Sequence, residues 1–329
     1  MKVVITGGAG FLGQRLARRL LRDGRLTDAV GAVREISEIL LLDIVAAEGV
    51  VDPRVRTLTG DIFDAGLLRE AVGADTASIF HLAAVVSGQA EADFDLGMRI
   101  NLDASRLLLE RCRQLGTRPK VVFTSSVAVY GGDLPALVTD ATALEPQSSY
   151  GVQKAIGELL LSDYDRREFI DGRVLRLPTI SVRPGKPNKA ASSFASGIVR
   201  EPLAGIDAVC PVRPETRLWL LSPRQATASL VAGHELASEA LGRHRCINLP
   251  GISVTAGEMV ETLKRVAGAE VARRVRWEPD AGVQRIVGSW PPAWDTARAE
   301  SLGLRGDADF QSILEAYIED DLPAQHKAA

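Results

Sequence analysis

Residues 3 to 13 read VVITGGAGFLG, a short β-branched run that passes straight into a glycine-rich turn, and a stretch rich in Leu and Arg follows. Few folds accommodate that order. A strand, a glycine turn and a helix at the head of a βαβ unit place main-chain amides where they can face a phosphate. Gly7 permits the tight turn, Gly10 lets the backbone approach a pyrophosphate, and Gly13 lets the helix pack close on the sheet. Phe11 and Leu12 supply the first helical amides. A plain glycine turn is the alternative, and the position of the motif at the start of a βα series argues for dinucleotide binding instead.

The series continues. VVIT (3 to 6), ILLLD (39 to 43), VRTLT (55 to 59), SIFHL (78 to 82), VVFTS (121 to 125) and VLRL (174 to 177) alternate with amphipathic stretches such as 12 to 21 and 102 to 115. Apolar runs without strict two-residue alternation are the pattern of strands buried on both faces, so the expected class is α/β with a doubly wound parallel sheet. After Pro178 the texture changes, because prolines at 184, 187, 202, 211, 214 and 223 cut the chain into short pieces. RLWLL (217 to 221) and HRCINLP (244 to 250) are expected to rejoin the sheet. The expected division is therefore 1–177 plus about 217–250 as nucleotide-binding domain, and about 178–216 plus 251–329 as a smaller, irregular substrate lobe. Two helices are read in the tail, in EMVETLKRVAG and DADFQSILEAYIEDDL.

Composition excludes several classes. Lys+Arg total 39 against Asp+Glu 42, with no basic run, so nucleic acid is not an expected partner. The most apolar later run, ILLLDIVAA, is interrupted by Asp43 and falls far short of the roughly 20 residues of a membrane span. Cys112, Cys210 and Cys246 form no CxxC pair, and the first residues leave no room for a signal-peptide core, so a cytoplasmic location is expected. His81 reads as a packed strand-end residue, and His234 and His244 lack partners at ligand spacing, so no metal is expected.

Asp43 ends the second strand, where a carboxylate can accept hydrogen bonds from both hydroxyls of an adenosine ribose and repel a 2′-phosphate. That favours NAD over NADP. The interval of 30 residues from Gly13 exceeds the usual spacing of about 20, so an insertion around Val30 to Glu38 is expected, and an ordinary loop aspartate is the alternative. Asp61 and Ile62 follow the third strand at the place of an adenine edge, and Ala83 and Ala84 offer small side chains after the fourth.

Tyr150 and Lys154 stand four apart in SSYGVQKAIGELLL, a helical stretch in which such a pair shares a face. A phenol titrates near pH 10, and a neighbouring ammonium favours the phenolate, which makes the tyrosine a usable base. Ser126 lies just past VVFTS, at the carboxyl edge of the sheet where ligands collect in this architecture. A surface tyrosine beside a solvated lysine is the bland alternative. The order of loop, acid, serine, tyrosine and lysine in one chain speaks for oxidation of an alcohol, with Tyr150 taking the hydroxyl proton.

TGGAGFLG, GDIFD, HLAA, FTSSVAVYG, YGVQK, LRLP and DTARAESLG together resemble the extended short-chain dehydrogenase/reductases, in that family's order and over almost the whole chain. The resemblance implies a Rossmann-type domain, Tyr150 as acid/base, Lys154 on the nicotinamide ribose and Ser126 on the reacting oxygen, with Ser125 as the fallback and cofactor neighbour. It further implies Pro178 with its backbone neighbours beside the nicotinamide, Thr179 next to it as a candidate substrate contact, and Asn101 bonded to backbone near the active site, although a helix-capping role for Asn101 is equally open. A homodimer is expected from the same resemblance.

Within the family, HLAAVVSGQAEADFDLGMRINLDASR, PQSSYGVQKAIGELLL and RIVGSWPPAWDTARAESLGLRGDADF are similar to sugar-acid dehydrogenases, which implies oxidation at C2 of a small sugar acid. Arg183, Lys186, Lys189, Arg200, Arg213 and Arg217 cluster in the second region, and a carboxylate wants such donors. Arg183 is the leading candidate among them. Ser87, Gly88 and Gln89 are polar candidates for the substrate hydroxyls. The competing readings are a nucleotide-sugar epimerase or dehydratase, whose usual RD(F/Y) and VxDVA segments are replaced here by RLWLL and SPRQATASL, and a cofactor-sensing regulator without catalysis.

Overall fold

The computed structural model describes residues 1–185, 190–291 and 293–322. Two compact units are present: Met1–Val129, Pro146–Arg176 and Thr227–Asn248 form the first, and Tyr130–Glu145, Leu177–Ala226 and Leu249–Ala329 the second.

The first unit is organised by a seven-stranded parallel sheet. In chain order its strands are β1 (Lys2–Thr6), β2 (Glu38–Asp43), β3 (Val55–Thr59), β4 (Thr76–His81), β5 (Lys120–Ser126), β6 (Asp171–Leu177) and β7 (Cys246–Asn248). Their order across the sheet is β7-β6-β5-β4-β1-β2-β3, so the chain reverses direction between β1 and β4, the switch point at which open α/β sheets bind ligands. Every residue of β1 and β6 is buried, as the unbroken apolar runs predict.

Helices α1 (Phe11–Asp23), α2 (Ala104–Leu115) and α3 (Ser149–Arg166) belong to this unit. Leu16, Ala17 and Leu20 of α1 are buried at helical spacing, and Gly24 ends the helix at φ 71° with its amide on the carbonyl of Leu20. A core of Val4, Leu40, Leu42, Ile79, Leu108, Val121 and Phe123 joins sheet to helices. The long interval before Asp43 is filled by a small antiparallel hairpin, Arg25–Thr27 with Val33–Glu35.

HRCINLP rejoins the sheet as expected, since Cys246–Asn248 pairs in parallel with Val174–Arg176. RLWLL does not. Arg217–Leu221 pairs antiparallel with Ile252–Thr255 and, at its end, parallel with Thr179–Ile180, which makes a separate three-stranded sheet in the second unit. Its alternating pattern, with Arg217 exposed and Trp219 half-buried between the buried Leu218 and Leu220, is that of a strand covered on one face. Behind it pack the helices Phe194–Leu203, Ala256–Ala267 and Phe310–Asp320 around Ile198, Leu218, Met259, Leu263, Ile313 and Tyr317. The last two of these helices are the two read from the tail.

Candidate active site

The chain turns sharply after β1. Gly7 adopts φ +71°, and a Cβ there would stand 2.8 Å from the amide nitrogen of Ala83. A Cβ on Gly13 would stand 2.3 Å from the carbonyl oxygen of Gly7, so α1 can start this close to β1 only without a side chain. Gly8 is as constrained, because its Cβ would meet that of Leu41 at 2.7 Å, a restriction that the second glycine of the pair hints at and the motif reading passes over. Gly10 is the N-cap of α1, with no side-chain cap and no acid in the first turn, which leaves the positive end of the helix dipole for an external anion.

Asp43 reaches this loop. Its Oδ2 accepts from the amide of Ala9 at 2.9 Å and its Oδ1 from the amide of Ile44 at 2.7 Å. Asp61 is bound by Arg99, 2.8 Å away, and accepts from the amide of Phe63 at 2.9 Å, while its neighbour Ile62 is buried in the core. Arg99 carries no sequence signal.

The loop after β4 is tied from both ends by a polar chain. Ser105 Oγ donates to the carbonyl of Asn101 (2.7 Å), so it accepts from Nε2–H of His81 (2.9 Å). Nδ1 of His81 therefore accepts from Thr6 Oγ1 (2.7 Å), which itself accepts from the amide of Ala83 (3.2 Å). Burial pushes the His81 imidazole down to about 3, and the nearby Lys154 adds to that shift, so the ring is neutral. Asn101 sits inside a π-helical turn, Met98–Asp103, with Oδ1 accepting from the amide of Val85 (2.8 Å) and Nδ2 donating to the Val85 carbonyl (3.1 Å) and to Gln153 Oε1 (2.7 Å). It clamps the loop that leads into Ser87 and Gly88, the start of the short helix Ser87–Ala92, and caps no helix.

Ser148 caps α3, accepting from the amide of Gly151 at 3.2 Å, which puts Tyr150 in the first turn with a half-buried ring. Lys154 lies one turn on and is buried; its Nζ donates to the carbonyl of Thr124 at 2.9 Å and stands 4.7 Å from the ring centre of Phe123 and 5.7 Å from that of Tyr150. Burial lowers its ammonium to about 8, and Glu158 opposes the shift. The two serines differ. Ser126 ends β5 half-buried, its Oγ accepting from the amide of Ala128 at 3.1 Å, whereas Ser125 is buried and donates to Glu158 at 2.5 Å.

The remaining expected residues lie in the second unit. Pro178 precedes the two-residue strand Thr179–Ile180. Arg183 has a guanidinium nitrogen 3.5 Å from Ser192 Oγ, and its amide donates to Ser196 Oγ at 3.0 Å. Arg200, expected in a loose basic cluster, is instead buried, bonded to the carbonyl of Arg183 (2.8 Å) and paired with Glu201 (2.5 Å). Arg217 is exposed and donates to the carbonyl of Ser253 at 3.3 Å. Lys186 and Lys189 lie outside the described residues.

The sequence profile of the NAD dependent epimerase/dehydratase family matches residues 3–213. This chain belongs to that family. Among relatives, a D-erythronate dehydrogenase of Cupriavidus necator is 66% identical over 320 residues, covering 97% of this chain and 98% of that protein. A D-erythronate dehydrogenase of Haemophilus influenzae is 46% identical over 98% of this chain and 100% of its own length. The crystal structure of a protein described as the nucleoside-diphosphate-sugar epimerase from Agrobacterium tumefaciens superimposes with a TM-score of 0.92 at 43% identity, covering 98% of this chain and 95% of that one. As a member of the epimerase/dehydratase family the chain uses a nicotinamide cofactor, and the uncapped N-terminus of α1 at Gly10, brought close to β1 by Gly7 and Gly13, fits the pyrophosphate of such a dinucleotide.

Proposed function

We propose that this chain is an NAD-dependent dehydrogenase that oxidises the C2 hydroxyl of D-erythronate to the 2-oxo acid. The full-length likeness to two D-erythronate dehydrogenases carries this reading. The chemistry needs a base for the hydroxyl proton, a group to orient the hydroxyl and an acceptor for hydride. Tyr150 is the base. The ammonium of Lys154, held one turn away, stabilises its phenolate and binds the nicotinamide ribose. Ser126, with a half-buried hydroxyl at the end of β5, orients the reacting oxygen; Ser125 is buried and engaged with Glu158. When bound, the nicotinamide supplies the hydride acceptor. Gly7, Gly10, Phe11, Leu12 and Gly13 hold the pyrophosphate, with Asp61, Ile62, Ala83, Ala84 and Asn101 lining the rest of the path, and Asp43 selects NAD over NADP through the ribose hydroxyls. Pro178 serves the nicotinamide and Thr179 the substrate. Ser87 and Gly88 contact substrate hydroxyls, and Arg183 holds the carboxylate. The enzyme acts in the cytoplasm as a homodimer.

The test is formation of NADH from NAD and D-erythronate by the purified protein, against a panel of four- to six-carbon sugar acids. The description of the Agrobacterium structure favours a second reading, epimerisation of a nucleotide sugar. An epimerase restores its cofactor in every cycle, so isomerised nucleotide sugar without net NADH would decide for it.

A further inference from the structure

We propose that Glu158, anchored by Arg176 and Ser125, is a positioning residue that fixes the serine-bearing end of β5 against α3 and sets its negative charge on the helix face that carries the Lys154 ammonium. The inference rests on the dehydrogenase reading above and adds to it a buried group that the proton transfer does not touch.

Glu158 follows Lys154 by four residues on α3, so the two side chains share a face, and both are 2% exposed. A carboxylate so deeply buried must be matched by donors. Its Oε1 accepts from Ser125 Oγ (2.5 Å) and Arg176 Nε (2.9 Å), and its Oε2 from Arg176 Nη2 (2.6 Å). Arg176, on β6, is itself buried and extends to Asn248 Oδ1 on β7 at 3.4 Å. Glu158 thus joins α3 to three adjacent strands.

Thr124 and Ser125 are the meeting point. Lys154 bonds the carbonyl of Thr124, Glu158 bonds the hydroxyl of Ser125, and Ser126 comes next. Two consecutive turns of α3 grip two consecutive residues of β5, which ties the strand end that carries Ser126 to the helix that carries Tyr150. The titratable and charged groups around Lys154 are Tyr150 and Glu158 on its own helix, neutral His81 at the end of β4, and Arg176 behind Glu158. The charge of Glu158 favours the protonated form of the buried ammonium, opposing the effect of burial.

The test measures Lys154 directly. Lysines are few in this chain, so ε-labelled lysine resonances can be followed by NMR through a pH titration of the protein without substrate, with Lys154→Arg identifying the signal. Glu158→Gln should lower the Lys154 midpoint by about one unit, and the alkaline fall of kcat should move down with it. Because Glu158→Gln leaves Arg176 buried without its counter-charge, Glu158→Gln/Arg176→Met is the second variant, with the same downward direction. Glu158→Asp, which keeps the charge, should restore most of the midpoint. An unchanged Lys154 titration in the folded double variant, or a loss of kcat equal at every pH, would overturn the proposal. Failure of the wild-type protein to oxidise D-erythronate would end the functional reading instead, and the NMR titration distinguishes the two cases.

Discussion

The Cα of Gly151 faces the carbonyl oxygen of Ala128 so closely that a Cβ would stand 2.2 Å from it. Gly151 follows the tyrosine of the candidate site, and Ala128 lies two residues past the serine, so this contact brings the start of α3 onto the turn that ends β5. Gly151→Ala must push that backbone contact apart. Misplacement by about 1 Å costs on the order of a hundredfold in rate, so kcat should fall by about tenfold to a hundredfold while the affinity for NAD, measured by calorimetry, changes little. Equal loss in Val152→Ala, at an exposed neighbour, would assign the effect to the helix as a whole.

Tyr150→Phe keeps the ring and removes the proton acceptor. Turnover of D-erythronate should drop by about 10² to 10⁴ with cofactor binding preserved. Near-normal turnover would remove Tyr150 from the mechanism.

Asp43 has two tasks that can be separated. Its carboxylate holds the amides of Ala9 and Ile44, and the same group is proposed to reject a 2′-phosphate. Asp43→Asn retains an acceptor oxygen while removing the charge, so it should narrow the ratio of NAD to NADP specificity constants with less harm to the loop than Asp43→Ala. An unchanged ratio in both variants would place the ribose elsewhere.

A carboxylate held by a charge-assisted hydrogen bond separates D-erythronate from erythritol, its uncharged counterpart. Loss of such a contact costs about 1.5 to 3 kcal/mol, so erythritol should be roughly ten- to a hundredfold poorer in specificity constant. Arg183→Gln should compress that difference, and comparable rates on the two compounds would refute the anion site.

His81 couples folding to pH. Its midpoint is near 6.5 in an unfolded chain and about 3 in the folded one, so below 6.5 the unfolded state binds a proton that the folded state refuses. The stability this provides is complete above pH 6.5 and is lost as the pH falls towards 3. His234 is buried and shifted in the same direction, chiefly by burial, and adds to the loss. Urea midpoints at pH 7 and pH 5 should therefore differ less in His81→Gln than in the wild type; an equal difference would mean that the buried ring is not the source.

Local order made the glycine loop legible from sequence, because the positive φ of Gly7 and the close approach of Gly13 to its carbonyl arise between a strand and the helix it leads into. The same holds for Tyr150 and Lys154, whose common face follows from helical spacing, and for inner strands of the parallel sheet such as β1 and β6, whose double-sided burial shows as unbroken apolar runs. Tertiary structure decided the rest. Arg99 finds Asp61, Gln153 finds Asn101, and Arg176 finds Glu158 across 18 to 52 residues of chain, by hydrogen bonds between single side chains that repeat with no period. RLWLL reads as a strand in sequence, but which sheet it enters depends on which edge is open to pair with it, and that edge exists only after the chain has folded.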